Sequence, residues 1–180
     1  MFDRWPHPAC LDDEDLLRSC TVGRGRASGP GGQHRNKVET LVWVTHDPTG
    51  LEAHAGERRS QGENKRVALR RLRLRLATEH RVQPPRLRGM ALLDDTPAAS
   101  ALWLSRRRGR MLACNPEHHD YPSLLAEAMD NLADLAWDPS RAAERLGVSA
   151  SQLVKLVKDH PPALAEVNAR RAERGAHALR

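Results

Sequence analysis

The sequence predicts an α+β protein: a small β-sheet packed on one long helix with a protruding Gly31-Gly32-Gln33 loop, followed by a small all-helical domain. Three observations predict it. Short segments between residues 21 and 55 alternate apolar and polar positions with a period of two. Leu69, Leu72 and Leu76 then recur at helical spacing within residues 59–79. From Tyr121 onward, leucines and alanines form helical stripes interrupted by Gly147 and Pro161-Pro162. The expected boundaries are an N-terminal tail and short helix at 1–20, a loop-bearing domain at 21–80, a basic linker with an extra strand at 81–116, and a helical domain at 117–180.

Residues 1–10 are proline-rich and expected to be poorly ordered, whereas Leu11 to Cys20 reads as a short helix. Its opening acids suit the positive end of the helix, and Leu16 and Leu17 are its expected anchors. Thr21 to Ala27 alternates Val22 with Arg24 and Arg26 across two glycines, a strand leading into the loop. Glu39 to His46 sets Leu41, Trp43 and Thr45 against Val42 and Val44, a second strand. Asp47-Pro48-Thr49-Gly50 has the residues of a type I turn, so Leu51 to Ala55 closes a hairpin. Arg59 to Glu79 is the long helix, with Ser60 and Glu63 spaced as a capping box and its leucines expected to face the sheet. Arg66, Arg70 and Arg73 share another face, with Arg71 and Arg75 beside it. Few acids stand at helical spacing to pair with these cations, which favours an RNA-facing role.

In the linker, Pro84-Pro85 through Gly89 reads as a hinge and Asp94 to Ser100 as a surface loop. Ser105 to Arg110 is a basic knot that serves either as a tether or as a phosphate contact. Leu102-Trp103-Leu104 or Met111-Leu112-Ala113 is expected to add a strand to the sheet. Beyond it, Leu124, Leu125, Ala128, Met129, Leu132 and Leu135 form one helical stripe. A second helix opens at Asp138-Pro139 and stops at Gly147, a third runs from a capping box at Ser149 through Asp159, and a fourth continues to about Gly175. Ala142 to Leu153 has the spacing of a helix-turn-helix, exposing Ala150, Ser151, Gln152, Lys155 and Lys158. Packing alone accounts for such a turn, and no pattern of base-reading side chains stands out, so packing is preferred over nucleic-acid docking.

Composition narrows the function class. Hydrophobic residues make up 39% of the 180 positions and aromatics 3%, so the core must come from Leu, Val and Ala. The net charge of +6, carried mainly by arginine, points to an acidic polymer as partner. Cys10, Cys20 and Cys114 are scattered and odd in number, which suggests neither a disulfide framework nor a metal knuckle. No apolar run has the length of a membrane span, the start lacks the apolar core of a secretory signal, and Asp12 to Asp15 argue against a transit peptide. A cytoplasmic protein without a membrane partner is expected. His118, His119 and Asp120 are too compressed for ordinary ligand spacing, so no metal and no cofactor is expected.

The stretch Ser28 to Lys37 organises the rest. Three glycines and a proline among residues 28–32 cannot hold a helix or central strand, so it is a loop. Its tip carries almost no side-chain bulk before one neutral amide, Gln33, while Arg24, Arg26, His34, Arg35 and Lys37 surround it. Bare backbone between cations suits entry into a narrow cavity walled by phosphates.

These residues, with two further blocks, resemble the class-I peptide chain release factors and their codon-independent relatives that rescue stalled ribosomes. The blocks are Ser28-Gly29-x-Gly31-Gly32-Gln33-x-x-Asn36-Lys37, then His46-x-Pro48-Thr49-Gly50, then Arg59-Ser60-Gln61-x-x-Asn64-Lys65-x-x-Ala68. The resemblance runs from near Cys20 to near Glu79. It implies hydrolysis of the ester that joins a nascent peptide to transfer RNA, with Gly31, Gly32 and Gln33 catalytic. The Gln33 main-chain amide would stabilise the leaving oxygen or tetrahedral intermediate, and its side chain would position water. His34 is read as RNA-facing. Arg24, Arg26, Arg35, Asn36, Lys37, Arg59, Ser60, Gln61, Asn64, Lys65, Arg66 and Arg70 are the expected RNA contacts. The implied partners are the ribosome, through large-subunit ribosomal RNA and P-site peptidyl-tRNA, and a glutamine methyltransferase acting on Gln33. A monomer is expected.

The departures bear on ribosome recognition. Stop-codon readers carry a large decoding region around the catalytic domain, and no such motif is found here, so codon-independent release is expected. Small rescue hydrolases end in a basic disordered tail, whereas Leu124 to Arg174 reads as folded, and Arg58 stands where the family usually has an acid. The rival from another class is a non-catalytic RNA- or ribosome-binding factor that uses the helical domain. A transcription regulator is disfavoured, because nothing beside the helix-turn-helix supplies a dimer interface.

Overall fold

Alternating burial along Leu41–His46 sets the sheet: Val42, Val44 and His46 are buried, while Leu41, Trp43 and Thr45 are half-buried. The computed structural model describes residues 6–26, 40–82 and 99–180. The chain divides into two compact units, Leu11–Leu76 and Met1–Cys10 with Ala77–Arg180.

In the first unit, β1 (Cys20–Gly25), β2 (Leu41–His46) and β3 (Leu51–Ala55) form an antiparallel sheet in the order β1-β2-β3. Register pairs Val22 with Val44, Gly23 with Trp43 and Val44 with Ala53, so β-branched residues and alanines share one face. The loop between β2 and β3 is closed by the His46 carbonyl, which accepts from the Thr49 amide at 3.2 Å and the Gly50 amide at 2.8 Å. This corrects the expected type I turn beginning at Asp47. Gly50 takes the left-handed conformation, φ 69°, that a side chain would oppose.

Helix α1 (Asp13–Leu17) begins at Asp12, whose carboxylate accepts from the Asp15 amide at 2.8 Å, and Leu16 is fully buried. Only one of the two expected anchors is fully used, because Leu17 stays half-buried. Helix α2 (Gln61–Glu79) buries Ala68, Leu69, Leu72 and Leu76, the stripe expected to face the sheet. Arg71 donates to the His54 carbonyl at 2.8 Å and Arg75 to that of Glu52 at 2.5 Å, which tie α2 to β3.

The second unit is built around α4 (Tyr121–Asp134). Leu124, Leu125, Ala126, Ala128, Met129 and Leu132 are buried, at about 1.5 to 3 kcal/mol for each large side chain removed from water. Residues Pro8–Cys10 form a turn of 3-10 helix against α4, with Ser123 Oγ donating to the Ala9 carbonyl at 3.0 Å. The expectation of disorder therefore fails for residues 7–10, where Ala9 and His7 are fully buried. Helix α5 (Pro139–Leu146) is capped by Asp138, whose carboxylate accepts from the Ser140 and Arg141 amides, and ends at Gly147 with φ 68°. Helix α6 (Ala150–Lys158) is capped by Ser149, and α7 (Pro161–Ala172) opens on the paired prolines Pro161-Pro162. Tyr121 donates to the Leu156 carbonyl at 2.8 Å, which joins α4 to α6.

The expected extra strand of the main sheet is absent among the described residues. Leu102 to Leu104 lie in helix α3 (Ala101–Arg106), because Ser100 supplies an N-cap and Trp103 is buried with Nε1 donating to the Leu146 carbonyl at 3.0 Å. Met111-Leu112 form β5, which pairs with β4 (Arg107–Arg108) in a separate hairpin turned at Gly109. The Pro84-Pro85 hinge and the loop at 94–98 lie outside the described residues.

Candidate RNA-facing site at the loop stem

The expected catalytic residues Gly31, Gly32 and Gln33, with the expected contacts Arg35, Asn36 and Lys37, lie outside the described residues. The stem is described on both sides. β1 ends at Gly25, which pairs with Leu41 at the start of β2, so residues 27–39 join two adjacent strand ends.

Two glycines let β1 lie close under an aromatic ring. A Cβ at Gly23 would stand 2.0 Å from Trp43 Cε2, and one at Gly25 would stand 3.0 Å from Cζ3. The indole therefore lies across both glycines on the sheet face opposite Val42 and Val44. The alternation around Gly23 and Gly25 suggested a strand, but the ring that requires those glycines was not anticipated.

On the other face, Arg24 pairs in register with Val42, which turns it towards the first turns of α2. There, Val22, Arg24, Val42, Gln61, Gly62 and Lys65 line a pocket of about 530 Å³. Three of the expected RNA contacts, Arg24, Gln61 and Lys65, thus share one concave surface. Arg59, Ser60 and Arg66 are exposed nearby in sequence, and Arg70 is half-buried. Ser60 Oγ accepts from the Glu63 amide at 3.4 Å, so this hydroxyl starts the helix. Among the described residues no acid pairs with Arg24, Arg59, Lys65 or Arg66.

Asn64 departs from the expected role. Its side chain is fully buried and its amide serves three backbone groups: Nδ2 donates to the carbonyls of Thr40 at 2.6 Å and Arg58 at 2.9 Å, while Oδ1 accepts from the Arg58 amide at 2.9 Å. A buried amide with these partners has no group to offer a phosphate. It fastens the return end of the loop and the lead-in to α2 onto the helix.

The basic stripe of α2 also separates into two sets. Arg73 donates to the Leu11 carbonyl and pairs with Asp13 at 3.3 Å, with only 11% of its side chain exposed. Arg71 bonds Glu57 at 2.6 Å, and this hydrogen bond holds the Glu57 carboxyl below its usual range. With Arg75 on the Glu52 carbonyl, these three arginines are structural, which corrects the expectation that the whole stripe faces RNA. The missed signal lay outside α2, in Asp13, Glu57 and two β3 carbonyls, which helical spacing cannot reveal.

Neither thiol with a shifted value is poised as a nucleophile. Burial, with Asp47 nearby, raises Cys20 to about 11, and burial raises Cys114. His118, His119 and Asp120 do bring ligand atoms within 4.8 Å of one another. Arg106, however, bonds Asp120 and approaches His118 Nε2 at 3.2 Å, so a guanidinium already sits where a dication would compete.

Comparison with known proteins adds to this geometry. Residues 14–100 match the RF-1 domain family. Over that segment the chain is similar to the class-I peptide chain release factors. Over 73 residues it is 50% identical to peptide chain release factor 1 of Gluconobacter oxydans, covering 41% of this chain and 20% of that protein. It is 55% identical over 51 residues to peptide chain release factor 1 of Thermotoga maritima, covering 28% and 15%. The mitochondrial peptide chain release factor 1 of Bos taurus is 42% identical over 71 residues, 39% of this chain and 16% of that protein. The chain thus spans a fifth or less of the length of these relatives. The RF-1 match contains the sheet, the loop segment and α2, and it ends at Ser100, the N-cap of α3. No helix among the described residues is long and apolar enough to cross a membrane.

Proposed function

We propose that this chain hydrolyses the peptidyl-tRNA ester on the ribosome, releasing nascent peptide without reading a codon. The observation that carries the reading is the loop stem: the segment holding Gly31-Gly32-Gln33 falls within the RF-1 match, its return end at Thr40 is fastened by Asn64, and Arg24 and Lys65, which have no acid partner among the described residues, line the pocket beside the stem. Attack on the ester carbonyl builds a tetrahedral oxyanion and then charge on the departing ribose oxygen. The Gln33 main-chain N-H is the donor for that charge, and one preorganised donor of this kind is worth about a hundredfold in rate. The Gln33 side chain orients the attacking water. Gly31 and Gly32 allow close approach to RNA without a Cβ clash.

Arg24, Arg59, Gln61, Lys65 and Arg66 hold ribosomal RNA beside the stem, with Arg26, Arg35 and Lys37 continuing the cationic path. Ser60, Asn36 and Arg70 complete the contact set. The protein works as a cytoplasmic monomer, and Gln33 is a substrate for a glutamine methyltransferase, since N-methylation would narrow the amide's orientations and keep it neutral. The codon-independent part is supported by residues 101–180, which form helices and a short hairpin beyond the RF-1 match.

The test is peptide release from purified ribosomes carrying peptidyl-tRNA and programmed with a stop codon, a sense codon or a truncated message. Release that is indifferent to the stop codon supports the reading. Release confined to the stop codon overturns its codon-independent part. No release on any of the three favours the non-catalytic binding factor.

A further inference from the structure

We infer that the second unit carries its own docking surface for structured RNA, made by the β4–β5 hairpin and the exposed face of α6. It does not rest on the hydrolase reading, and it lies outside the segment that matches the RF-1 domain.

The hairpin is fixed against the helix-turn-helix at three points. The Arg110 carbonyl accepts from the Ser149 amide at 2.9 Å, and the Leu112 amide donates to Gln152 Oε1 at 3.3 Å. At Gly147 a Cβ would stand 2.0 Å from Arg107 Nη1, so the arginine crosses the α5–α6 turn over a residue with no side chain. This packing gives the basic knot of the linker a defined place and removes the tether reading.

Charge pairing then separates the cations of this unit. Arg81, Arg106, Arg145 and Arg170 each pair with an acid, namely Asp130, Asp120, Asp134 and Glu166. Arg107, Arg108 and Arg110 on the hairpin, with Lys155 and Lys158 on α6, are exposed and have no acid partner among the described residues. The sequence explains the split, because residues 105–116 and 145–158 contain no Asp or Glu. Cations left unpaired on two fixed elements keep their full attraction for a polyanion.

The side chains favour backbone contact over base reading. Ser151, Lys155 and Lys158 face solvent on α6, opposite buried Leu153 and Val157, and short or point-charge groups there match phosphates better than base edges. Met111, 63% exposed and paired in register with Arg108, adds an apolar contact for sugar or an unstacked base. Helical RNA is recognised mainly through shape and phosphates, which fits a surface of this kind.

The full-length chain is titrated with a hairpin RNA of about 16 base pairs and with DNA of the same sequence, at rising KCl. Two double variants remove surface charge, Arg108→Ala/Arg110→Ala and Lys155→Ala/Lys158→Ala, and Arg170→Ala/Arg174→Ala removes as much charge from α7. Each test pair should weaken RNA binding about tenfold and lower the salt slope by about 1 to 2, with the α7 pair changing affinity less than about twofold. Lys155→Glu, at an exposed position of α6, keeps the test decisive if a hairpin variant loses its fold. Gln33→Ala should bind this RNA as the wild type does, which separates the inference from the hydrolase reading. Unchanged RNA affinity in the test pairs, an equal loss in the α7 pair, or tighter binding to the DNA would each overturn the proposal.

Discussion

Asn64 Nδ2 donates to the Thr40 carbonyl at 2.6 Å from a side chain with no solvent exposure, so the first turn of α2 holds the residue at which the chain returns from the loop. Loss of this amide strands three backbone groups of Thr40 and Arg58. Asn64→Ala should cost about 2 to 3 kcal/mol, read from the shift in urea midpoint. Asn64→Asp should cost more, because a carboxylate would then face two carbonyl oxygens. Equal stability of wild type and Asn64→Ala would contradict the clamp.

Gly23 and Trp43 make a second dependence. A Cβ at Gly23 would stand 2.0 Å from the indole, so Gly23→Ala should destabilise by about 1 to 3 kcal/mol through displacement of the ring. Adding Trp43→Ala should recover part of that loss, which a double-mutant cycle on thermal unfolding measures. Additive losses would show that the two positions are independent.

Asp130 is a pH-sensitive group of the second unit. Its Oδ1 accepts from the Val82 amide at 3.0 Å and lies 3.5 Å from Arg81 Nη1, while Oδ2 is buried without a partner. Burial raises its pKa from 3.8 to about 7, against the opposing pull of Arg81, and Glu127 adds a smaller upward push. A raised value in the fold means that the native state binds this proton more tightly. Its contribution is fully present below 3.8 and is lost as pH rises through about 7, at up to about 1.4 kcal/mol per pH unit. Asp130→Asn should flatten that dependence in urea titrations between pH 4 and 7. An unchanged slope would mean that Asp130 does not titrate there.

Periodicity made most of the architecture legible. The Val42–Val44 alternation and the Leu69–Leu72–Leu76 stripe led to the right elements, and Asp138, Gly147 and Ser149 marked helix ends by local chemistry that needs no tertiary information. Long-range partners were not legible. Asn64 was read with its basic neighbours, yet its partners include Thr40, 24 positions away. Arg73 was grouped with Arg66 by helical spacing, yet Asp13 and Leu11 claim it from another element. Leu102-Trp103-Leu104 is apolar enough for a strand, but the Ser100 cap and the Trp103 bond to Leu146 make it a helix. The left-handed Ala136 and Trp137 beyond α4 carry no sequence signal at all, since neither is a residue that favours positive φ.

The central claim is that the main chain at Gly31-Gly32-Gln33 performs ester hydrolysis without an ionisable side chain. Its most direct test is the single-turnover rate of peptide release from ribosomes stalled on a truncated message, with Gln33→Ala and Gly32→Ala compared with wild type at saturating protein. The account predicts a rate loss of about a hundredfold or more for Gly32→Ala and a smaller loss with relaxed nucleophile selectivity for Gln33→Ala, with ribosome binding in both within about tenfold of wild type. Release at the wild-type rate by both variants would contradict it.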